Sequence, residues 1–152
     1  MKRKHWFLLV FCSSVLLTFS ESFIIKKTGG LADEILSYTN NFRKTRGLSA
    51  LIMRQDLNEI AQQHSRNMAS GKISFGHTGL NQRFEIVQKK ISGVNSFGEN
   101  VALGAKSAEQ VVSLWKKSPE HRKNMLGKFK YIGIGAAADR KGVVYYTQVF
   151  AG

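Results

Sequence analysis

Cysteine is nearly absent from this chain: its 152 residues hold one, Cys12. Cys12 lies in the leader described below, so the remainder has no thiol and no disulfide framework is open to it. An exported domain without bridges must be stable by burial alone. That favours a bacterial export route over an animal or plant one, where small secreted domains usually carry bridges. Acidic residues are also scarce, 10 Asp and Glu against 23 Lys and Arg, a formal net charge of +13. Such a surface favours anionic partners: wall polymers, acidic lipid or nucleic acid. No dense basic block accompanies the charge, which leaves nucleic-acid binding without specific support. The single proline, Pro119, falls where one helix ends and another begins. The longest apolar run, Trp6 to Phe19, is about 14 residues, short of the roughly 20 that cross a bilayer as a helix. There is no internal repeat.

The apolar run has a clear setting. Lys2, Arg3 and Lys4 precede it, and Thr18, Ser20 and Ser22 follow at the spacing a signal peptidase reads. This is a secretory signal layout. Bulky Phe11 before Cys12 opposes a lipoprotein reading. Residues 1–22 are assigned to the signal peptide, 23–30 to a linker ending in Gly29-Gly30, and 31–152 to one domain. Loss of the three leader cations lowers the charge from +13 to about +10. No transmembrane segment is expected after cleavage.

Helical spacing opens the domain. Leu31, Ile35, Tyr38 or Thr39, and Phe42 share one face over 31–46, and Gly47 stops the helix. Residues 48–54 form a connector or brief strand. A second helix over 57–70 is expected, capped by Asp56, with Leu57, Ile60, Ala61, His64 and Met68 inward. A Gly/Ser/Thr-rich loop over 72–79 carries His77. Residues 80–91 form a third helix of poor apolar phase. Phe97 to Leu103 is extended. Ser107 and Gln110 make a capping box for the clearest helix, which ends at Lys117 and buries Ala108, Val111, Val112 and Trp115. Ser118-Pro119 starts a short helix carrying His121. Strands at 131–138 and 143–150 flank the turn Asp139-Arg140-Lys141-Gly142. Helices first and a hairpin last predict an α+β layered domain.

Seven segments in order carry a resemblance. They are Thr39-Asn40-Asn41-Phe42-Arg43 with Gly47-Leu48; Ala61 to Ala69, around His64; Phe75-Gly76-His77-Thr78; Gly98-Glu99-Asn100-Val101; Trp115 with Ser118 to Leu126; Ile132-Gly133-Ile134-Gly135; and Tyr146 to Phe150. Together they resemble the CAP superfamily of cysteine-rich secretory, antigen 5 and pathogenesis-related proteins, closest to its bacterial SCP-like branch, over about Leu31 to Phe150. The resemblance implies a three-layer α-β-α sandwich around a small, mainly antiparallel sheet. It also implies a cleft with His77, Glu99 and His121. The family's second acid follows the long helix; Lys116 and Lys117 stand there, with Glu120 nearby.

Two imidazoles and a carboxylate suit zinc with an open position for water. The same three side chains could equally form a hydrogen-bonded brace without metal. They lie 22 residues apart on separate segments, so only the fold can join them. His64, on an apolar stripe, reads as a core histidine bonded to a neighbouring segment. Asn100, Arg122 and Trp115 read as structural support. Ser118 reads as a cap, and Ser65 does not face His64 on a helix. Three functions stay open: a non-enzymatic secreted module binding an anionic, lipid or cell-wall ligand; a metal-dependent hydrolase using His77, Glu99 and His121; and a structural envelope protein. A monomer is expected.

Overall fold

The computed structural model describes residues 30–152; the signal assignment, and the linker up to Gly29, lie outside the described residues. Five helices and four strands follow in the order α1 (Leu31–Lys44), β1 (Ile52–Met53), α2 (Gln55–Ala69), α3 (Leu80–Lys90), β2 (Phe97–Leu103), α4 (Ala108–Lys117), α5 (Pro119–Met125), β3 (Tyr131–Ala138) and β4 (Val144–Ala151). The sheet order is β1-β3-β4-β2. Only the short β1 runs parallel to its neighbour β3; β3–β4 and β4–β2 are antiparallel. Among the described residues no helix is long and apolar enough to cross a membrane.

Alternation along the strands makes two cores, one on each sheet face. Ile132, Ile134, Tyr146 and Phe150 face α1, α4 and α5, where they join Ile35, Phe42, Val111, Trp115 and Met125. Val149 and Ala151 face α2 and α3, against Leu57, Ala61, Val87 and Ile91. The result is the three-layer α-β-α sandwich expected. Trp115 is fully buried, and its indole N–H donates to the Val101 carbonyl at 3.2 Å. Helix α4 is thereby tied to the edge strand that carries Glu99.

Some local expectations change. Asp56 does not cap α2, which starts two residues earlier than expected, at Gln55 after Arg54. The Asp56 carboxylate instead takes both arms of Arg54, at 3.0 and 2.8 Å. In α1 the choice between Tyr38 and Thr39 falls to Thr39, which is buried because Gln148 donates to its hydroxyl at 2.9 Å. Ser107 caps α4 as expected, accepting from the Gln110 N–H at 3.1 Å. The Gln110 side chain reaches back to the Lys106 N–H, one residue beyond the usual box partner. Arg122 is exposed, and among the described residues its side chain bonds just the Lys116 carbonyl, at 3.2 Å. The arginine that braces the chain is Arg43, buried, donating to the carbonyls of Ser49, Met125 and Gly127.

Candidate functional site

Glu99 and Asn100 are neighbours in β2, and the pleat sends them to opposite faces. Glu99 pairs with Val149 and turns toward α2 and α3; Asn100 pairs with Gln148 and turns toward α5. Asn100 then ties loop backbone. Its amide donates to the His121 carbonyl at 3.1 Å, and Asn124 donates to its carbonyl oxygen at 2.9 Å. Asn124 also donates to the Glu99 carbonyl at 3.0 Å. The short α5, carrying His121, is fastened to the strand that carries Glu99.

The Glu99 side chain is fully buried, which demands partners for a charged group. Arg83 supplies two: Nε donates to Oε2 at 2.6 Å and Nη2 to Oε1 at 2.7 Å. Its Nη1 donates to the Thr78 carbonyl at 2.8 Å, tying α3 to the loop before it. His77, on that loop, places Nδ1 2.8 Å from Glu99 Oε1. A carboxylate only accepts, so Nδ1 carries hydrogen, and Nε2 is the ring nitrogen left for other contacts. The His77 side chain is 45% exposed: one edge is pinned and the remainder faces out.

His64 is the third partner in space. Its Nε2 lies 2.9 Å from the Gly76 carbonyl, an acceptor, and therefore carries hydrogen. Nδ1 is buried with no hydrogen-bond partner among the described residues. The 3.6 Å from Nε2 to Glu99 Oε1 is too long for a hydrogen bond. Burial holds His64 below its ordinary value of 6.5, outweighing the upward pull of Glu99. A neutral ring fits the core role expected. His121 is half-buried on α5; burial first, and His77 second, push it down as well.

A pH dependence follows. Both histidines titrate lower folded than unfolded, so below about pH 6.5 the unfolded chain takes up protons first. Stability should be flat above that value and fall progressively as pH drops below it, levelling once the folded rings protonate. Thermal melts from pH 7.5 to pH 5 should show this slope. His64→Gln should reduce it; an unchanged slope would mean that His64 is not among the groups responsible.

The sequence expectation joined His77, Glu99 and His121. The structure places His77 on Glu99 and brings His121 within electrostatic reach of His77, with no hydrogen bond from the His121 ring among the described residues. Glu120 is exposed in the first turn of α5, and its charge pulls His121 upward, less strongly than burial and His77 push it down. The residue missed is Arg83. Leu80, Arg83 or Phe84, Val87 and Ile91 are spaced for one face, and the poor apolar phase of α3 came from an arginine on it. As a three-ligand zinc site the trio does not fit. Arg83 and His77 between them engage both oxygens of Glu99, leaving two imidazoles, fewer than the three protein ligands of an ordinary catalytic zinc. Among the described residues no group of three or more His, Cys, Asp or Glu is placed to hold a metal ion.

Known proteins share this framework. The cysteine-rich secretory protein family, CAP, matches residues 36–150. YkwD, an uncharacterised protein of Bacillus subtilis (strain 168), is 33% identical over 122 residues, covering 78% of this chain and 46% of YkwD. A crystal structure of an extracellular SCP-domain protein from Bacillus anthracis superposes with a TM-score of 0.68 at 28% identity, over 80% of this chain and 40% of that one. This chain thus spans less than half of either Bacillus protein. An outer surface protein of Borrelia burgdorferi shares the fold, with a TM-score of 0.67 at 20% identity, over 78% of this chain and 90% of that one. By its sequence match, its layered architecture and its bacterial SCP-domain relatives, the chain belongs to the cysteine-rich secretory protein (CAP) family.

Proposed function

We propose that the chain is an exported, metal-independent binding module whose cleft presents the imidazoles of His77 and His121 to an anionic ligand of the cell envelope. One observation carries the reading: the buried Glu99 carboxylate is engaged on both oxygens, by Arg83 and His77. A carboxylate so held is a poor general base and a poor metal ligand. What it does well is fix an imidazole. The ring plane of His77 is set, which lowers the ordering penalty of a contact in which Nε2, when it also carries hydrogen, donates to an anion. The net positive charge of the chain draws anions toward the protein. Export is supported by the leader layout and by relatives described as extracellular or outer-surface proteins. A hydrolase reading would require Glu99 to leave Arg83 before it could act.

Polyglycerol phosphate serves as an anionic envelope-like probe and uncharged dextran as its control. Calorimetry should register binding to the first and none to the second. His77→Ala and His121→Ala should each weaken binding by about tenfold or more, roughly 1.4 kcal/mol, with no phosphate ester cleaved in overnight incubation. Cleavage of the polymer, or binding indifferent to both substitutions, would refute the reading.

A further inference from the structure

Helix α2 covers only part of its sheet face. It lies over Gly133 and Gly135, and Ser65 near its end bonds the Gly135 carbonyl and the Thr147 hydroxyl. One step further along the strands, Leu103 and Ala137 both pair with Tyr145. The two-residue period puts these three on the α2 face, past the helix, which ends at Ala69. The loop after α2 then brings the Phe75 ring to 6.3 Å from that of Tyr145. Phe75 is 47% exposed and Leu103 41% exposed. An aromatic pair and a leucine therefore share an uncovered end of the sheet, formed by three converging segments.

The same segments are basic. Lys72 precedes Phe75, Lys106 follows Leu103, and Arg140 and Lys141 form the turn before Tyr145; all four are exposed. The backbone bond from Gly104 N–H to the Val144 carbonyl, 2.9 Å, holds the end of β2 against the hairpin. Asp139 is the only acid in these three segments, and its Oδ1 accepts from the N–H groups of Lys141 and Val143. The acid is occupied by the turn it builds, and the cations stand free of it.

We infer that this end of the sheet docks on an anionic lipid leaflet. Phe75, Leu103 and Tyr145 enter the boundary between headgroups and acyl chains, while Lys72, Lys106, Arg140 and Lys141 meet headgroup phosphates. Apolar side chains ringed by cations are the composition that binds such an interface, the apolar part supplying burial and the cations the attraction to anionic lipid. A soluble polyanion would use the cations and leave the exposed apolar groups without a role. The surface uses none of the cleft imidazoles, although Phe75 lies two residues from His77 on the same loop. The lysine pair touches neither, so failure of lipid binding would leave the cleft reading standing.

Sedimentation with vesicles tests the inference. The protein recovered from a secreting host should bind vesicles of equimolar phosphatidylcholine and phosphatidylglycerol, and bind pure phosphatidylcholine at least about tenfold more weakly. The pair Lys106→Glu and Lys141→Glu should weaken binding by about tenfold. The pair Lys44→Glu and Lys89→Glu, an equal charge change on α1 and α3, should leave it within about twofold. Phe75→Ser with Leu103→Ser should also weaken it by about tenfold, and free glycerol phosphate should not displace the protein. No vesicle binding, equal losses from the two lysine pairs, indifference to the serine pair, or displacement by glycerol phosphate would each overturn the assignment.

Discussion

Gly135→Ala should destabilise the domain by about 3 kcal/mol or more. A Cβ at this position would stand 2.2 Å from the Gln62 nitrogen and 2.4 Å from the Ala61 carbonyl carbon, both backbone atoms of α2. Gly133 repeats the geometry, with a Cβ 2.2 Å from the Leu57 carbonyl carbon. The helix lies directly on two glycines of one strand, and a helix backbone cannot rotate aside as a side chain can. Relief requires α2 to lift from β3, which would open the core around Leu57, Ala61 and Val149. It would also strain the bonds that Gln62 makes to both backbone groups of Ala136. Overpacking of this kind costs about 3 kcal/mol or more, a large part of the stability of a small domain. Gly30→Ala, where a Cβ meets nothing within 4 Å, is the control and should cost under about 1 kcal/mol. Urea unfolding of the two variants measures the difference; similar midpoints would mean that α2 shifts easily and is not seated on the glycines.

Arg83→Met should be nearly as damaging, for an electrostatic reason. The Arg83 side chain is 11% exposed and that of Glu99 is fully buried. Removing the guanidinium leaves a buried carboxylate with His77 as its remaining side-chain partner. Breaking a buried pair from one side costs about 3–5 kcal/mol, most of it the penalty of the stranded charge. Arg83→Lys should recover only part of this, because one ammonium cannot reproduce the fork that meets Oε1 and Oε2 together. Removing both partners, as Arg83→Met with Glu99→Leu, should cost less than Arg83→Met alone, since no buried charge remains. Denaturant titrations of the three variants give the order; a double variant as unstable as Arg83→Met would show that the loss comes from packing of the arginine stem.

The layered fold was legible because its signals are local. The stripe of α4 names its buried face, and Asp139-Arg140-Lys141-Gly142 marks the hairpin; that α2 lands on Gly133 and Gly135 is added by the structure. Helix starts were less legible. Asp56 has the chemistry of a cap, but Arg54, two residues earlier, offers it a bidentate partner, and the helix begins before it. Of the site, His77 and Glu99 were readable through family order, and their hydrogen bond is what the structure adds. Arg83 escaped because it sits among apolar positions in a helix of weak phase, where an arginine reads as an interruption of the stripe. Its partner lies 16 residues away on a strand, and no spacing rule links them. Arg43 escaped in the same way, since its carbonyl partners at Met125 and Gly127 are contributed by a turn more than 80 residues later.

The central claim is that Arg83 holds the cation place in the cleft and leaves no three-ligand metal site. Zinc calorimetry on the wild type and Arg83→Met at pH 7.5, below the melting point of both, tests it most directly. The wild type should give no saturable heat at micromolar zinc. Arg83→Met should bind, because the freed Glu99 carboxylate joins the two imidazoles as an ordinary zinc ligand. That binding should disappear when His77→Ala is added. Tight zinc binding by the wild type that is lost on His77→Ala and on His121→Ala would contradict the claim.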